Sequence, residues 1–153
     1  MNMNMKPIEI QKMAYALFEQ YDLKDWTFQF DNAKVRFGLC DLKTKTISMS
    51  KKLVSLNEEK DIVDTLLHEM AHAVTSCGHN RKWRHTAILM GCNGKRCYSS
   101  NEIVKPKPKF IGTCPQCETK INRYNKTKSM NNISCKKCCK QYNPEFQFVW
   151  KKI

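Results

Sequence analysis

Asp61–Trp83 reads DIVDTLLHEMAHAVTSCGHNRKW, and its centre, His68-Glu69-Met70-Ala71-His72, is an H-E-x-x-H motif. Positions i and i+4 of a helix share one face. Both imidazoles can therefore reach one metal ion, with Glu69 beside them to handle a proton. Ile62, Leu66, Met70, Ala73 and Val74 add an apolar stripe at helical spacing. The spacing predicts a helix over roughly 58–76, opened by a capping box of Ser55 and Glu58. Gly78 is expected to end that helix and turn the chain back. The turn brings His79 within reach as a third ligand, and catalytic zinc usually takes three protein ligands and keeps a fourth position for water. The four histidines of the chain, His68, His72, His79 and His85, all lie within eighteen residues. His85 is expected behind the ligands or on the surface.

Upstream, Pro7 suits the first turn of a helix running to Tyr21, with Ile10, Met13, Ala14, Leu17 and Tyr21 on one face. Trp26, Phe28 and Phe30 alternate with polar residues, as a strand does, and Val35, Phe37 and Leu39 alternate again. Gly38, inside that second run, marks a bulge or a close backbone approach. Thr46–Ser50 (TISMS) is a third short strand, and a sheet edge there would let an extended substrate add by main-chain pairing. Downstream, a helix is expected from Arg81 or Lys82 to Met90, ending near Gly91, with Trp83, Ala87 and Met90 packed inward.

Lys105-Pro-Lys-Pro-Lys109 cannot be helical and marks a boundary, giving domains 1–104 and 105–153. The second contains Cys114-Pro-Gln-Cys117, a gap of seventeen residues, and Cys135-Lys-Lys-Cys138. Paired C-x2-C units at this separation are the signature of a four-cysteine structural zinc site. Cys139 leaves the register open, since it could replace Cys138. A domain this small needs the metal to fold. Phe146, Phe148 and Trp150 alternate like a closing strand. Cys40, Cys77, Cys92 and Cys97 are single thiols, and a Cys92–Cys97 contact is left open.

The formal net charge is +13 and is uneven. Residues 1–104 carry 15 Lys/Arg against 12 Asp/Glu, and residues 105–153 carry 12 against 2. So basic a tail implies a polyanionic partner, nucleic acid first. Its candidate contacts are Arg123, Tyr124, Lys126, Lys128 and Trp150; Trp150 could equally close the small core. No apolar run approaches the ~20 residues of a membrane span, and MNMNMKPIEIQK lacks the apolar centre of a signal peptide. The expectation is a soluble intracellular monomer whose nine cysteines serve metals rather than disulfides.

Taken together, RFGLCDLKTKTISMSKKLV (36–54), DTLLHEMAHAV (64–74), GHNRKW (78–83) and the CPQC…CKKC pair resemble the SprT-like (Spartan-type) zinc metalloproteases. The resemblance implies an α+β fold: a small zincin-like metalloprotease domain, helices plus a short three-stranded sheet, followed by a small β zinc ribbon. It implies two zinc ions. One would be catalytic on His68, His72 and His79 with Glu69 as base, the other structural on Cys114, Cys117, Cys135 and Cys138. It further implies a DNA-dependent endopeptidase that degrades proteins bound or crosslinked to DNA, working in the nucleus or wherever the genome resides. The family commonly has Gly after the third histidine; here it is Asn80. No counterpart is expected of the long tails by which some animal members bind ubiquitin or clamp proteins.

The residues give a consistent chemistry. Zinc would polarise a scissile carbonyl and acidify its water, while Glu69 takes the proton and passes it to the leaving amine. Arg84, His85 and Tyr98 are candidates for a second oxyanion stabiliser. DNA, single-stranded or partly unpaired, is the expected partner of the tail, with stacking on its aromatics. The main rival is a catalytically silent nucleic-acid-binding zinc protein with a metalloprotease fold. Glu69 speaks against it, because a retired site could lose that residue at no structural cost. A small-molecule zinc hydrolase leaves the basic tail unexplained.

Overall fold

Pro7 fixes the first turn of α1 (Pro7–Gln20), where a backbone N–H would have no partner in the helix. The Glu9 carboxylate reaches back to accept from the Lys6 N–H at 2.6 Å. Ile10, Ala14 and Phe18 form the buried face, with Met13, Leu17 and Tyr21 packed at its margins. The computed structural model describes residues 5–97 and 102–153. It divides into two units, Met1–Pro106 and Lys107–Ile153. Among the described residues no helix is long and apolar enough to cross a membrane.

The first unit holds a sheet of β1 (Thr27–Asp31), β2 (Gly38–Asp41) and β3 (Thr46–Ser50) in the order β1-β3-β2. β3 runs parallel to β1 and antiparallel to β2. TISMS is therefore the central strand and not the edge expected from sequence. Its two main-chain edges are taken, and Ile47, Ser48, Met49 and Ser50 are all buried. The two serines are tolerated there because each is paired. Ser48 Oγ donates to Asp31 at 2.9 Å and Ser50 Oγ to the Ala33 carbonyl at 2.6 Å. Val35 is exposed, and the second strand begins only at Gly38.

Ser50 also caps a helix that the sequence did not reveal, α2 (Lys51–Leu56), by accepting from the Leu53 N–H at 3.1 Å. This overturns the expected capping box. Ser55 lies inside α2 and donates to the Lys52 carbonyl, while α3 (Glu59–Thr75) starts after Glu58 with no side-chain cap. α3 is buried around most of its circumference. Ile62, Leu66, Met70 and Ala73 join the main core, and Leu67 and Ala71 face Trp83 and Ala87 of α4 (Arg81–Leu89). Val74, placed on the apolar stripe by its spacing, is exposed. Thr65 and Thr75 satisfy their buried hydroxyls on the Asp61 and Ala71 carbonyls, each at 2.7 Å. The helix ends at Ser76, which takes the left-handed conformation (φ 51°, ψ 32°) and donates to the His72 carbonyl. Gly78 was expected to make that turn and does not; its φ is not positive.

The second unit is a three-stranded antiparallel sheet, β4 (Phe110–Thr113), β5 (Lys120–Arg123) and β6 (Val149–Lys152), in the order β5-β4-β6. Cys114, Cys135 and Phe148 are its buried core, with Ile121, Ile133 and Trp150 against them. Phe146 belongs to a short 3-10 turn (Pro144–Phe146), so the closing strand starts later than the aromatic alternation suggested. The fold is α+β, with a four-cysteine cluster consistent with a zinc ribbon in its C-terminal part.

Asn57 ties the segment around Val104 to the start of α3. Its amide donates to the Leu53 and Val104 carbonyls at 2.8 and 2.9 Å and accepts from the Val104 N–H at 2.7 Å. The side chain is buried, and so is the neighbouring Ile103. Asn57→Ala leaves both Val104 backbone groups without these partners. It should destabilise the first unit by on the order of 2–3 kcal/mol, read from the urea midpoint at unchanged m.

Candidate active site

His68 and His72 stand one turn apart on α3, and the left-handed turn at Ser76 brings His79 back to them. The three Nε2 atoms converge: His68 to His72 at 3.3 Å, His72 to His79 at 3.1 Å, and His79 to His68 at 2.9 Å. Tetrahedral coordination with Zn–N near 2.05 Å sets ligand nitrogens about 3.3 Å apart. The cluster therefore has the dimensions of a three-imidazole zinc site. Two of the three rings are also biased towards the neutral form. Burial, then the neighbouring rings, push the His68 imidazole down to about 4. Burial, His72 and the Arg96 charge lower His79. Neutral imidazoles are the form that binds metal.

The rings are held from behind. His72 Nδ1 lies 2.7 Å from the Cys77 carbonyl, which fixes the proton on Nδ1 and leaves Nε2 free for the shared point. The Lys95 backbone accepts from the His68 ring. Trp83 is buried beneath all three. Its ring centroid is 4.6 Å from His68 and His79, and it stacks on His72 at 5.1 Å with an interplanar angle of 23°. Its indole N–H donates to the His68 carbonyl at 3.3 Å. Asn80 caps α4 by accepting from the Trp83 N–H at 2.9 Å and from the Cys77 thiol. An asparagine therefore serves as a helix cap where the resemblance led one to expect glycine.

Glu69 lines, with His68 and His79, a cleft of about 360 Å³. Burial pushes its carboxyl up to about 7, opposed by the Arg36 charge and by a hydrogen bond from the Cys40 backbone. Gly38 explains how the carboxylate fits. A Cβ there would come within 2.7 Å of Glu69 Cγ, 2.8 Å of its Oε1 and 2.9 Å of Thr65 Cγ2. The close approach expected at Gly38 is thus an approach to the carboxylate. Arg84 and His85 are exposed on α4 and do not line the cleft, which removes them as oxyanion stabilisers there. Tyr98 lies outside the described residues. The cations that do line the cleft are Arg36, Arg96 and Lys105. Sequence reasoning missed them because only the fold brings 36, 96 and 105 to one place.

In the second unit the sulfurs of Cys114, Cys117, Cys135 and Cys138 all lie within 4.8 Å of one another. Cys114 to Cys138 is 3.8 Å and Cys117 to Cys135 is 3.5 Å. Four thiolates about 2.3 Å from zinc would sit about 3.8 Å apart. Cys138, not Cys139, completes the cluster; Cys139 instead donates its N–H to the Cys135 carbonyl. All nine cysteines are free thiols, so Cys92 and Cys97 form no disulfide. Of the candidate nucleic-acid contacts, Lys126, Lys128 and Trp150 line one groove of about 690 Å³, with Phe110 and Lys152. The Arg123 guanidinium lies 5.9 Å from the Trp150 ring centroid. Tyr124 is half-buried and does not line the groove. Trp150 packs on Gly112 and donates its indole N–H to the Met130 carbonyl at 2.8 Å. It is both packed against the ribbon core and part of the groove wall.

Comparison with known proteins agrees with this geometry. Over 47 residues the chain is 45% identical to the DNA-dependent metalloprotease SPRTN of Xenopus tropicalis. The aligned stretch is 31% of this chain and 10% of that protein, so the chain spans a small part of the relative it matches. The SprT-like family model matches residues 9–102, well over half of the chain and nearly all of the span from α1 to α4. The chain that carries the imidazole cluster and the buried Glu69 belongs to the SprT-like family.

Proposed function

We propose that the protein is a zinc endopeptidase whose activity depends on DNA and whose substrates are proteins bound or crosslinked to DNA. The observation that carries the reading is three imidazole Nε2 atoms converging beside a buried carboxyl in an open cleft. That set leaves a fourth metal position for water or substrate, as catalytic zinc sites do. A zinc ion bound there supplies Lewis-acid polarisation of a carbonyl and a water acidified to a pKa of ~7. Glu69 then acts as general base and returns the proton to the leaving amine. A carboxyl raised to about 7 is matched to that exchange near neutral pH. The Cys40 N–H orients the carboxylate, and Gly38 leaves room for it. Trp83 and the Cys77 carbonyl keep the imidazoles in register.

The DNA arm of the proposal rests on the ribbon. Lys126, Lys128 and Lys152 would neutralise phosphates, and the exposed parts of Phe110 and Trp150 would stack on unpaired bases. The Xenopus tropicalis relative is a DNA-dependent metalloprotease, which supports this arm. A nuclear or other genome-associated site of action follows from the same reading. The four-thiol cluster is read as a closed structural zinc site, giving two zinc ions per chain, and the protein as a monomer.

Glu69→Gln should keep the fold and the metal while lowering proteolysis by about 10²–10⁴-fold, measured on a DNA–protein crosslink. Gly38→Ala should also lower it with zinc retained, because the added methyl group would press on Glu69 and Thr65, neither of them a metal ligand. Wild-type rates in Glu69→Gln would end the mechanism.

Elemental analysis should give two zinc ions per chain. Cys114→Ser should lose one ion and the ribbon's cooperative unfolding transition, with the other ion kept. A single ion in the wild-type protein would contradict one of the two sites.

Lys126→Glu with Lys128→Glu should weaken binding of single-stranded DNA. The slope of log affinity against log salt should fall by about 0.7 for each phosphate that is no longer neutralised. DNA-stimulated cleavage should drop with it, while zinc content stays constant. An unchanged salt slope would remove the groove from DNA recognition.

A further inference from the structure

The cleft beside Glu69 has an uneven lining. Val35, Phe37 and Ile103 are apolar, Glu69 is the one carboxylate, and Arg36, Arg96 and Lys105 are cations. Arg36 is anchored, since its guanidinium pairs with Asp31 at 2.9 Å. Arg96 and Lys105 have no ion pair among the described residues. Two other carboxylates of the first unit are engaged elsewhere. Glu102 pairs with Lys95 at 2.7 Å, and Asp64 accepts from the Asn93 backbone and amide at 2.7 and 2.8 Å. Neither of these carboxylates lines the cleft. Arg96 and Lys105 line the same cleft as His68, Glu69 and His79, where a scissile bond would lie.

Two cations without an ion pair among the described residues, set at a cleft with apolar lining, direct a positive field into the space that a bound chain must occupy. A metal ion on the imidazoles adds to that field. We infer that Arg96 and Lys105 make the cleft select substrate segments that carry a carboxylate side chain beside the scissile bond and reject segments rich in Lys and Arg. The inference rests on the endopeptidase reading and gives it a substrate preference. It also has a geometric consequence. A DNA-bound protein turns its basic segments to the phosphates, so a cationic cleft would cut in its acidic or neutral stretches, away from the DNA contact.

The test uses the full chain loaded with zinc and three peptides identical except for flanking Glu, Gln or Lys. The Glu peptide should be cleaved with a kcat/KM about fivefold above the Gln peptide for each cation it meets. That factor corresponds to the ~1 kcal/mol upper figure for an exposed ion pair. The Lys peptide should be slowest, and the spread should shrink as salt rises. Arg96→Ala with Lys105→Ala should compress the three rates toward one value. Affinities of the same peptides for the Glu69→Gln protein should follow the same order and supply a readout that needs no turnover. Equal affinities and rates for the three peptides, or an order unchanged in the double variant, would overturn the inference while leaving the endopeptidase reading intact. Loss of DNA affinity in the double variant, with the peptide order kept, would overturn it too and assign these cations to nucleic acid. Failure of all three peptides to be cleaved or bound would sink both readings.

Discussion

The three imidazole Nε2 atoms stand 2.9 to 3.3 Å apart, and the rings that carry them rest on one support. Their arrangement depends on Trp83. One buried indole touches all three rings and ties itself by its N–H to the His68 carbonyl. Much of the first unit serves to put that indole where it is. Leu67 and Ala71 of α3 pack on it, and Asn80 starts the helix that carries it. Ser76 adopts a left-handed backbone to return His79 over it. In isolated chains that conformation costs roughly 1–2 kcal/mol for a residue with a Cβ. It persists here because the turn closes a hydrogen bond to the His72 carbonyl and leads to the Cys77 carbonyl that His72 needs.

The other side of α3 is governed by room rather than by support. A buried carboxylate is unfavourable unless it is hydrogen-bonded or close to a cation. Glu69 has the Cys40 N–H and the Arg36 charge, and burial still outweighs them, so its carboxyl is raised rather than lowered. β2 can come this near only because Gly38 has no side chain. The close approach that lets the strand backbone bind the carboxylate thus also forces its desolvation. One glycine couples the sheet to the buried carboxyl.

How far the sequence disclosed this depends on whether a feature is local. The H-E-x-x-H helix, the third histidine and the paired C-x2-C units are short-range patterns with fixed geometry, and all of them meet in space as their spacing implied. Gly38 was legible as a close approach but not as an approach to Glu69. The features that escaped are set by tertiary contacts. Lys51–Leu56 has no amphipathic repeat long enough to announce a helix, and it forms because Ser50 caps it and Leu53 and Val54 are buried. TISMS has the alternation of a half-exposed strand, yet its serines are buried because Asp31 and Ala33 supply partners from elsewhere in the chain. The capping box failed for the same reason: Ser55 belongs to a helix whose existence was not visible. Cys138 and Cys139 are equivalent as sequence, and only the ribbon backbone decides which sulfur turns inward.

The two ligand sets also differ in what surrounds them, and the difference tracks their chemistry. The thiols of Cys114 and Cys135 are themselves core residues, packed with Phe148, so a metal bound there would be tied to the folding of the ribbon. The imidazoles sit at the margin of a unit whose two apolar clusters are complete without them; Ile10, Leu66, Met70 and Trp83 would be buried whether or not a metal were present. A site that is not needed for folding can leave a coordination position open, and openness is what hydrolysis requires. A site that supplies the core of a small domain cannot, because an open position would admit water among the sulfurs that hold it together. The closed four-thiol cluster and the open three-imidazole cluster therefore follow from how much hydrophobic core each unit has without its metal.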